Sequence, residues 1–408
     1  MTDVMVGALV FTLVVMLLAL LILGARRLLL PEREVEILLG GGRALPARTG
    51  QKLLAALHAG GVYLPSPCGG RGTCGQCGVR VSVGGGPVLP IERTHLSAAY
   101  LAAGMRLACQ VRLRDDLELE VPAELLRARR YRCRVRSHRN VTSFMKELVL
   151  DLPEGQTMQF RPGAYVQIVA PARTTRFTDF EVEPEYRAEW DRLGLWRLSV
   201  TSDRPEARAY SIATPPAQQD WIALVVRLAT PPPSAGPDAP PGIVSAYLFS
   251  LRAGDEVDVE GPYTGSFHPT DSEREMVLIG GGAGMAPLRS IALDQLAGER
   301  PARTMSFWYG ARNRRELCYA EEFEALARAH ASFSWHVALS DATPEDAWVG
   351  DTGFIHEVVE RCYLADHPNA AACEYYLCGP PLMIGATRAM LARHGVPPGH
   401  IFFDDFGG

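Results

Sequence analysis

Cys68, Cys74 and Cys77 stand in one glycine-rich run, Pro67-Cys68-Gly69-Gly70-Arg71-Gly72-Thr73-Cys74-Gly75-Gln76-Cys77-Gly78, and Cys109 follows in Arg106-Leu107-Ala108-Cys109-Gln110. The spacing is C-x5-C-x2-C-x31-C. Thiols gathered in this way ligate a metal. Glycines let the backbone wrap a cluster closely and aim N–H groups at its sulfurs. A closed zinc site commonly uses two close pairs of ligands, and only one C-x2-C pair exists here. The spacing looks like a [2Fe–2S] ferredoxin loop, one residue longer in its first gap than the plant-type C-x4-C-x2-C. Zinc and unrelated free thiols are the alternatives.

A second group, Arg208-Ala209-Tyr210-Ser211-Ile212-Ala213, sets an arginine, an aromatic and a hydroxyl at alternate or adjacent strand positions. A cationic donor, a stacking face and a small donor then converge, which is what a flavin needs. Alone, R-x-Y-S is a short pattern that arises by chance. In Gly242-Ile243-Val244-Ser245-Ala246-Tyr247-Leu248, glycine and serine open a short helix, where free N–H groups can hold a pyrophosphate. A third group pairs Gly280-Gly281-Gly282-Ala283-Gly284, after the apolar Met276-Val277-Leu278-Ile279, with Cys378-Gly379-Pro380-Pro381 at the end of a later strand. The turn is not G-x-G-x-x-G, yet two glycine-bearing strand ends on one carboxyl edge define a dinucleotide site.

These groups need four supporting regions. Val4 to Ala25 is an apolar run without a charge, between Asp3 and Arg26-Arg27, long enough to span a bilayer. Its acidic start argues against a cleaved signal peptide, and the arginine pair places the residues beyond it in the cytoplasm. Residues 31–128 read as a small β-rich domain, with strands at Val35 to Leu38 and Gly78 to Val83 and a helix near Lys52 to His58. Residues 129–270 read as an antiparallel barrel of short strands. It opens on a period-2 row of arginines with Cys133 pointing inward and carries an aromatic insertion, Arg173 to Asp191, whose ordinary reading is packing on the barrel. Pro231 to Pro241 reads as an extended loop. Residues 271–408 alternate strands and helices as a doubly wound parallel sheet, and residues 1–30 are the anchor.

The chain has 408 residues, 47% hydrophobic and 21% charged, so several cores form and disorder over most of its length is excluded. A net charge of -5 disfavours general nucleic-acid binding. Nine cysteines, three of them clustered, do not make a disulfide scaffold.

The order of apolar anchor, cysteine loop, R-x-Y-S barrel, glycine turn, C-G-P-P and an aromatic C-terminus resembles the F subunit of the sodium-translocating NADH:quinone reductases (Na+-NQR) over essentially the whole chain. The last two domains alone resemble the ferredoxin–NADP reductase family, including Arg161-Pro162-Gly163-Ala164-Tyr165-Val166. The resemblance implies a β-grasp [2Fe–2S] domain, a FAD barrel and an NADH-binding α/β domain behind a transmembrane helix. Cys68, Cys74, Cys77 and Cys109 would hold the cluster. Arg208 would meet FAD phosphates, Tyr210 would stack on the isoalloxazine, Ser211 would sit near its redox-active nitrogen, and Ser245 would bind pyrophosphate. Gly280, Gly281, Gly282 and Gly284 would face NADH, and Cys378 with Gly379 would line the nicotinamide pocket. Phe406, in the tail Phe402 to Gly408, would cover the flavin face; a frayed end is the plainer reading. Hydride would pass from NADH to FAD and single electrons through the cluster toward quinone, with sodium moved by the whole complex of membrane subunits in a bacterial inner membrane. A reductase serving an oxygenase and a membrane-held iron–sulfur carrier or sensor are the alternatives. Arg312, Arg314 and Arg315 follow a strand end where a 2′-phosphate could be read, whereas the resemblance favours NADH.

Overall fold

The structure is a computed structural model, described over residues 2–29, 33–122, 124–231, 239–297 and 303–405. Phe406 and most of the proline-rich loop lie outside these. One compact unit comprises Met1–Val62 with Gly70–Pro122, and a second comprises Tyr63–Gly69 with Ala123–Gly408.

The first unit begins with α1 (Thr2–Leu29), 28 residues long. Its side chains are described from Met5 to Leu21, and apolar ones such as Phe11 (71%) and Leu9 (68%) are exposed. Among the described residues no helix is long and apolar enough to cross a membrane. β1 (Glu34–Leu39), β2 (Arg43–Arg48), α2 (Leu53–Ala59), β3 (Gly78–Val83), the short α3 (Pro90–Arg93) and α4 (Ala98–Ala102), β4 (Met105–Leu107) and β5 (Leu117–Glu120) come next. The sheet order is β2-β1-β5-β3-β4, with β1 and β5 parallel. Alternation in β1 turns Val35, Ile37 and Leu39 inward, and α2 is gripped through Leu53, Leu54, Ala56 and Leu57. This is a β-grasp.

One buried ion pair fixes β4 just before Cys109. Arg106 Nε and Nη2 reach Glu92 Oε1 and Oε2 at 2.9 and 2.8 Å, and the Glu92 side chain is fully buried. Burial pushes the Glu92 carboxyl up, but the Arg106 guanidinium and the N–H groups of Leu89 and Leu107 hold it below the usual carboxylate range. The pair therefore stabilises fully above the unfolded carboxylate value, about 4.3, and is lost as pH falls through the lower folded value. Glu92→Gln strands a buried guanidinium. It is expected to lower unfolding stability by about 3–5 kcal/mol and to flatten the acid limb of the stability profile, measured by denaturant unfolding across pH 3–7.

In the second unit β6 (Arg129–Thr142), β7 (Met145–Asp151), β8 (Tyr165–Ala170), β9 (Arg173–Arg176), α5 (Pro184–Arg192), β10 (Ser199–Ser202), β11 (Glu206–Ser211), β12 (Trp221–Arg227), α6 (Ile243–Phe249) and β13 (Glu256–Tyr263) build the barrel. The six-stranded order is β11-β8-β13-β6-β7-β12. A bridge between Ile212 and Leu224, with Ala213 N–H donating to Ala223 O at 2.8 Å, curls one edge back on the other. On β6, Tyr131, Cys133 and Val135 face inward, while Arg130, Arg132 and Arg134 face out. The arginine row is paired within its own sheet: Arg130 with Glu260, Arg132 with Glu256 and Asp258, and Arg139 with Glu147. The insertion forms β9, a 3₁₀ turn and α5, and its Phe177, Phe180 and Trp190 are buried against the barrel. Trp190 Nε1 donates to Ser143 O at 2.7 Å. Strand β10 starts only at Ser199, because Gly194 (φ +61) opens a 3₁₀ turn over Leu195–Arg197.

β14 (Met276–Gly281), α7 (Met285–Ala297), β15 (Met305–Ala311), α8 (Ala320–Ala329), β16 (Phe333–Leu339), β17 (Asp351–Thr352), α9 (Ile355–Val359), β18 (Glu374–Gly379), α10 (Pro381–Arg393) and β19 (Ile401–Asp405) complete the chain. All these strands run parallel in the order β17-β16-β15-β14-β18-β19. The winding direction reverses between β14 and β18, where such sheets bind ligands.

Candidate functional site

Pairing of β3 with β4 positions two thiols. Gly78 opposes Leu107, and Ala108 N–H donates to Cys77 O at 2.9 Å, so Cys77 and Cys109 are held together at the strand ends. The Cys77 thiol is pushed far above its ordinary value, first by its hydrogen bond with Cys109, then by burial, with Cys74 adding to the effect. Crowded buried thiols resist ionising alone, and a bound metal relieves that by taking thiolate ligands. This donor set fits an iron–sulfur cluster. Cys68 is buried in the segment Tyr63–Gly69 of the second unit. There Gln167 accepts from Ser66 N–H and donates to Leu64 O, and Arg208 Nη1 donates to Pro67 O at 3.3 Å.

On β11, Arg208 and Tyr210 are half-buried and Ser211 is buried. Arg208 Nη1 also donates to Ala207 O at 2.7 Å and lies 3.5 Å from Glu206 Oε2. The Tyr210 ring packs on the barrel core, and burial pushes its hydroxyl pKa up. α6 follows Gly242, which gives it no side-chain cap. A Cβ at Gly242 would stand 2.7 Å from Ala229 Cβ and 2.8 Å from Ser245 Oγ. Ser245 Oγ itself donates to Gly242 O at 3.1 Å and accepts from Ala229 N–H at 3.2 Å. Its hydroxyl thus fastens the helix start, where the sequence suggested a pyrophosphate ligand.

The glycine turn and the C-G-P-P strand end meet backbone to backbone. A Cβ on Gly284 would lie 2.0 Å from Cys378 O, and one on Gly379 (φ +155) 2.8 Å from Gly281 O. A Cβ on Gly280 would stand 2.5 Å from the Leu288 side chain and one on Gly281 3.0 Å from Met383 Sδ, and Gly282 takes φ +57. A cavity of about 470 Å³ opens beside the turn, between Phe144, Met145 and Arg227 of the barrel and Gly281, Gly282 and Met383 of the sheet edge. Among the described residues its lining does not include Cys378. That side chain is fully buried and backs the turn from behind, because β18 is covered on both faces. Phe144, Met145 and Arg227 were missed from sequence. The usable signal was Arg227, a lone charge ending the apolar strand Trp221 to Val226.

Among the described residues, Arg289, Ser290 and Tyr319 make polar links between barrel and sheet beside a shared apolar core. Arg289 grips Glu322 through two bonds of 2.7 Å and donates to Ala213 O at 2.8 Å. Ser290 Oγ donates to Thr214 O at 2.7 Å, and Tyr319 Oη donates to Glu147 Oε2 at 2.6 Å. Tyr319 takes φ +57, a strained conformation costing about 1–3 kcal/mol that the surroundings impose. Helix α7, which leaves the glycine turn, is thereby tied to the chain leaving Ser211. Of the three arginines, Arg314 is engaged with Asp346, while Arg312 and Glu316 line the cavity.

Glu275, His367 and Cys373 also converge, their ligand atoms within 4.8 Å of one another. His367 Nδ1 accepts Asn369 N–H at 3.2 Å, so its proton resides on Nε2, 3.2 Å from Glu275 Oε2. That nitrogen donates to the carboxylate and has no lone pair for a metal. The group is a hydrogen-bonded post under β14 and β18.

A flavin-type barrel joined to a doubly wound nucleotide sheet, on a chain that also carries a β-grasp thiol site, defines an iron–sulfur flavoprotein oxidoreductase. Family models agree piece by piece: a 2Fe-2S iron-sulfur cluster binding domain matches residues 37–114, an oxidoreductase FAD-binding domain residues 196–268, and an oxidoreductase NAD-binding domain residues 278–389. The F subunit of the Na(+)-translocating NADH-quinone reductase of Methylococcus capsulatus is 46% identical over 408 residues, and that of Klebsiella pneumoniae 47%, each over 100% of both chains. The chain belongs to this F-subunit family. Among solved structures, Amycolatopsis cytochrome P450 reductase GcoB is 29% identical with a TM-score of 0.64, covering 91% of this chain and 98% of that one. The ferredoxin reductase in carbazole 1,9a-dioxygenase, 23% identical with a TM-score of 0.59 over 92% and 99%, shares the fold. The protein is an NADH-oxidising enzyme that uses FAD and a [2Fe–2S] cluster.

Proposed function

We propose that this chain is the electron-input subunit of a sodium-translocating NADH:quinone reductase complex, held in a bacterial inner membrane by α1 with its catalytic domains in the cytoplasm. The observation that carries the reading is the cleft in which the barrel hairpin faces the carboxyl ends of β14 and β18. When bound, FAD would supply hydride acceptance and one-electron release, and a [2Fe–2S] cluster held by the cysteines would supply single-electron relay.

The protein's part is to bind and orient. Arg208 supplies positive charge to FAD phosphates, and the start of α6 receives the pyrophosphate. The Tyr210 ring offers a stacking face, and Ser211 a hydroxyl near the isoalloxazine. Gly280, Gly281, Gly282, Gly284 and Gly379 let the dinucleotide approach main chain, while Arg227 meets its phosphates. Cys378 supports that subsite from behind. Phe406, outside the described residues, would cover the flavin face; the strand before it, β19, pairs Asp404 with Cys378 and Asp405 with Gly379. Cys68, Cys74, Cys77 and Cys109 ligate the cluster, and other membrane subunits receive the electrons on the way to quinone. The domains divide at about residues 30, 128 and 270.

The exposed apolar surface of α1 supports the anchor. Thr12 Oγ1 donates to Ala8 O at 2.8 Å, which satisfies the hydroxyl inside the helix as lipid requires. Full-length chain is expected in the membrane fraction with one FAD and about two irons and two sulfides, its flavin bleached by NADH. Removal of residues through Arg27 should release an NADH-oxidising fragment that no longer supports quinone reduction in cells. A truncated chain that remains in washed membranes, or zinc in place of iron, would sink the reading.

A further inference from the structure

Gln110 follows the fourth cysteine directly and is half-buried. Its Nε2 donates to Cys109 Sγ at 3.2 Å. The amide lies where the cysteine loop makes room for it: Gly72 takes φ +86, and a Cβ there would stand 2.6 Å from Gln110 Nε2, with Ile91 Cγ1 as the far wall at 3.4 Å. Any side chain at position 72 would push the amide off the sulfur. Two features far apart in sequence therefore converge on one hydrogen bond.

From this we infer that Gln110 is a positioning residue that sets the reduction potential of the [2Fe–2S] cluster, a reading that rests on the proposed ligation by Cys109. A ligating thiolate can only accept, so the end of the amide facing it must be the NH2 group. An added electron makes the sulfurs more negative and strengthens an N–H···S bond, so the bond favours the reduced state. Gln110 thus favours the electron on the cluster.

The test uses the full-length chain in detergent, with the cluster midpoint read by spin resonance during a redox titration. Gln110→Met keeps length and volume and removes the donor. The equilibrium constant for cluster reduction is expected to fall about tenfold, a drop of about 59 mV for one electron. Gln110→Glu replaces the donor by an acceptor and should fall further above the carboxyl's titration range. Iron, sulfide and the rate of flavin reduction by NADH should match the unaltered chain. An unchanged midpoint in a Met variant with full iron and sulfide overturns the inference. If both variants fail to assemble a cluster while the unaltered chain does, Gln110 is structural and the tuning role is wrong. If the unaltered chain holds no iron, the cluster assignment itself fails, which the iron assay reports separately.

Discussion

A Cys109→Ala chain is expected to purify with its full FAD and no iron–sulfur cluster. Cys109 stands just past β4, where pairing with β3 holds it beside Cys77. In the proposed set of four thiolates, loss of one ligand would leave iron a coordination position short, so the loss should be complete. Cys74→Ala, Cys77→Ala and Cys68→Ala should act alike. NADH should still bleach the flavin, since Arg208, Tyr210 and the glycine turn lie on other elements. The checks are iron and sulfide analysis, the visible spectrum and the spin-resonance signal of the reduced protein. A normal reduced-cluster signal from Cys109→Ala would show that another residue is the fourth ligand.

The second large effect is expected from Gly284→Ala. The added Cβ meets Cys378 O at 2.0 Å, its carbonyl carbon at 2.3 Å and Gly379 N at 2.7 Å, all main chain of a fully buried strand. Overpacking costs about 1–3 kcal/mol where side chains can yield; here two main-chain segments must part, and α7 moves with them. Apparent NADH affinity should fall at least about tenfold, or about 1.4 kcal/mol, with a lower melting temperature, while FAD content and the cluster signal hold. Gly265→Ala, with open space at its Cβ, is the matched control and should be neutral. Unaltered stopped-flow reduction by NADH in Gly284→Ala would mean that the two strand ends do not form the nucleotide site.

Much of this was legible in the residues because the signals were local. The thiol spacing, the R-x-Y-S strand and the two glycine-bearing strand ends are contiguous motifs, and period-2 alternation placed Cys133 inward, as found. What the sequence could not show depended on partners distant in the chain. The arginine row of β6 became intelligible only when β13 and β7 brought carboxylates opposite it. Ser245 stands at the expected helix start, yet its hydroxyl turns to Ala229 and Gly242, a choice no helix-start pattern encodes. Cys378 lies at the expected strand end but behind the turn, because burial of β18 on both faces results from sheet order. Phe144 and Met145 sit on an ordinary hairpin, and only barrel closure brings them to the nucleotide edge.

The links between barrel and sheet also bear on grafting. Arg289 and Ser290 reach the carbonyl groups of Ala213 and Thr214, acceptors that every polypeptide offers whatever its side chains. Tyr319 instead needs a carboxylate at position 147. A nicotinamide domain transplanted from this chain onto a foreign flavin barrel would bring two of the three fasteners ready-made. The third would have to be written into the recipient, and recombination between relatives is under the same constraint: residues 147 and 319 must travel together although 171 positions of chain separate them.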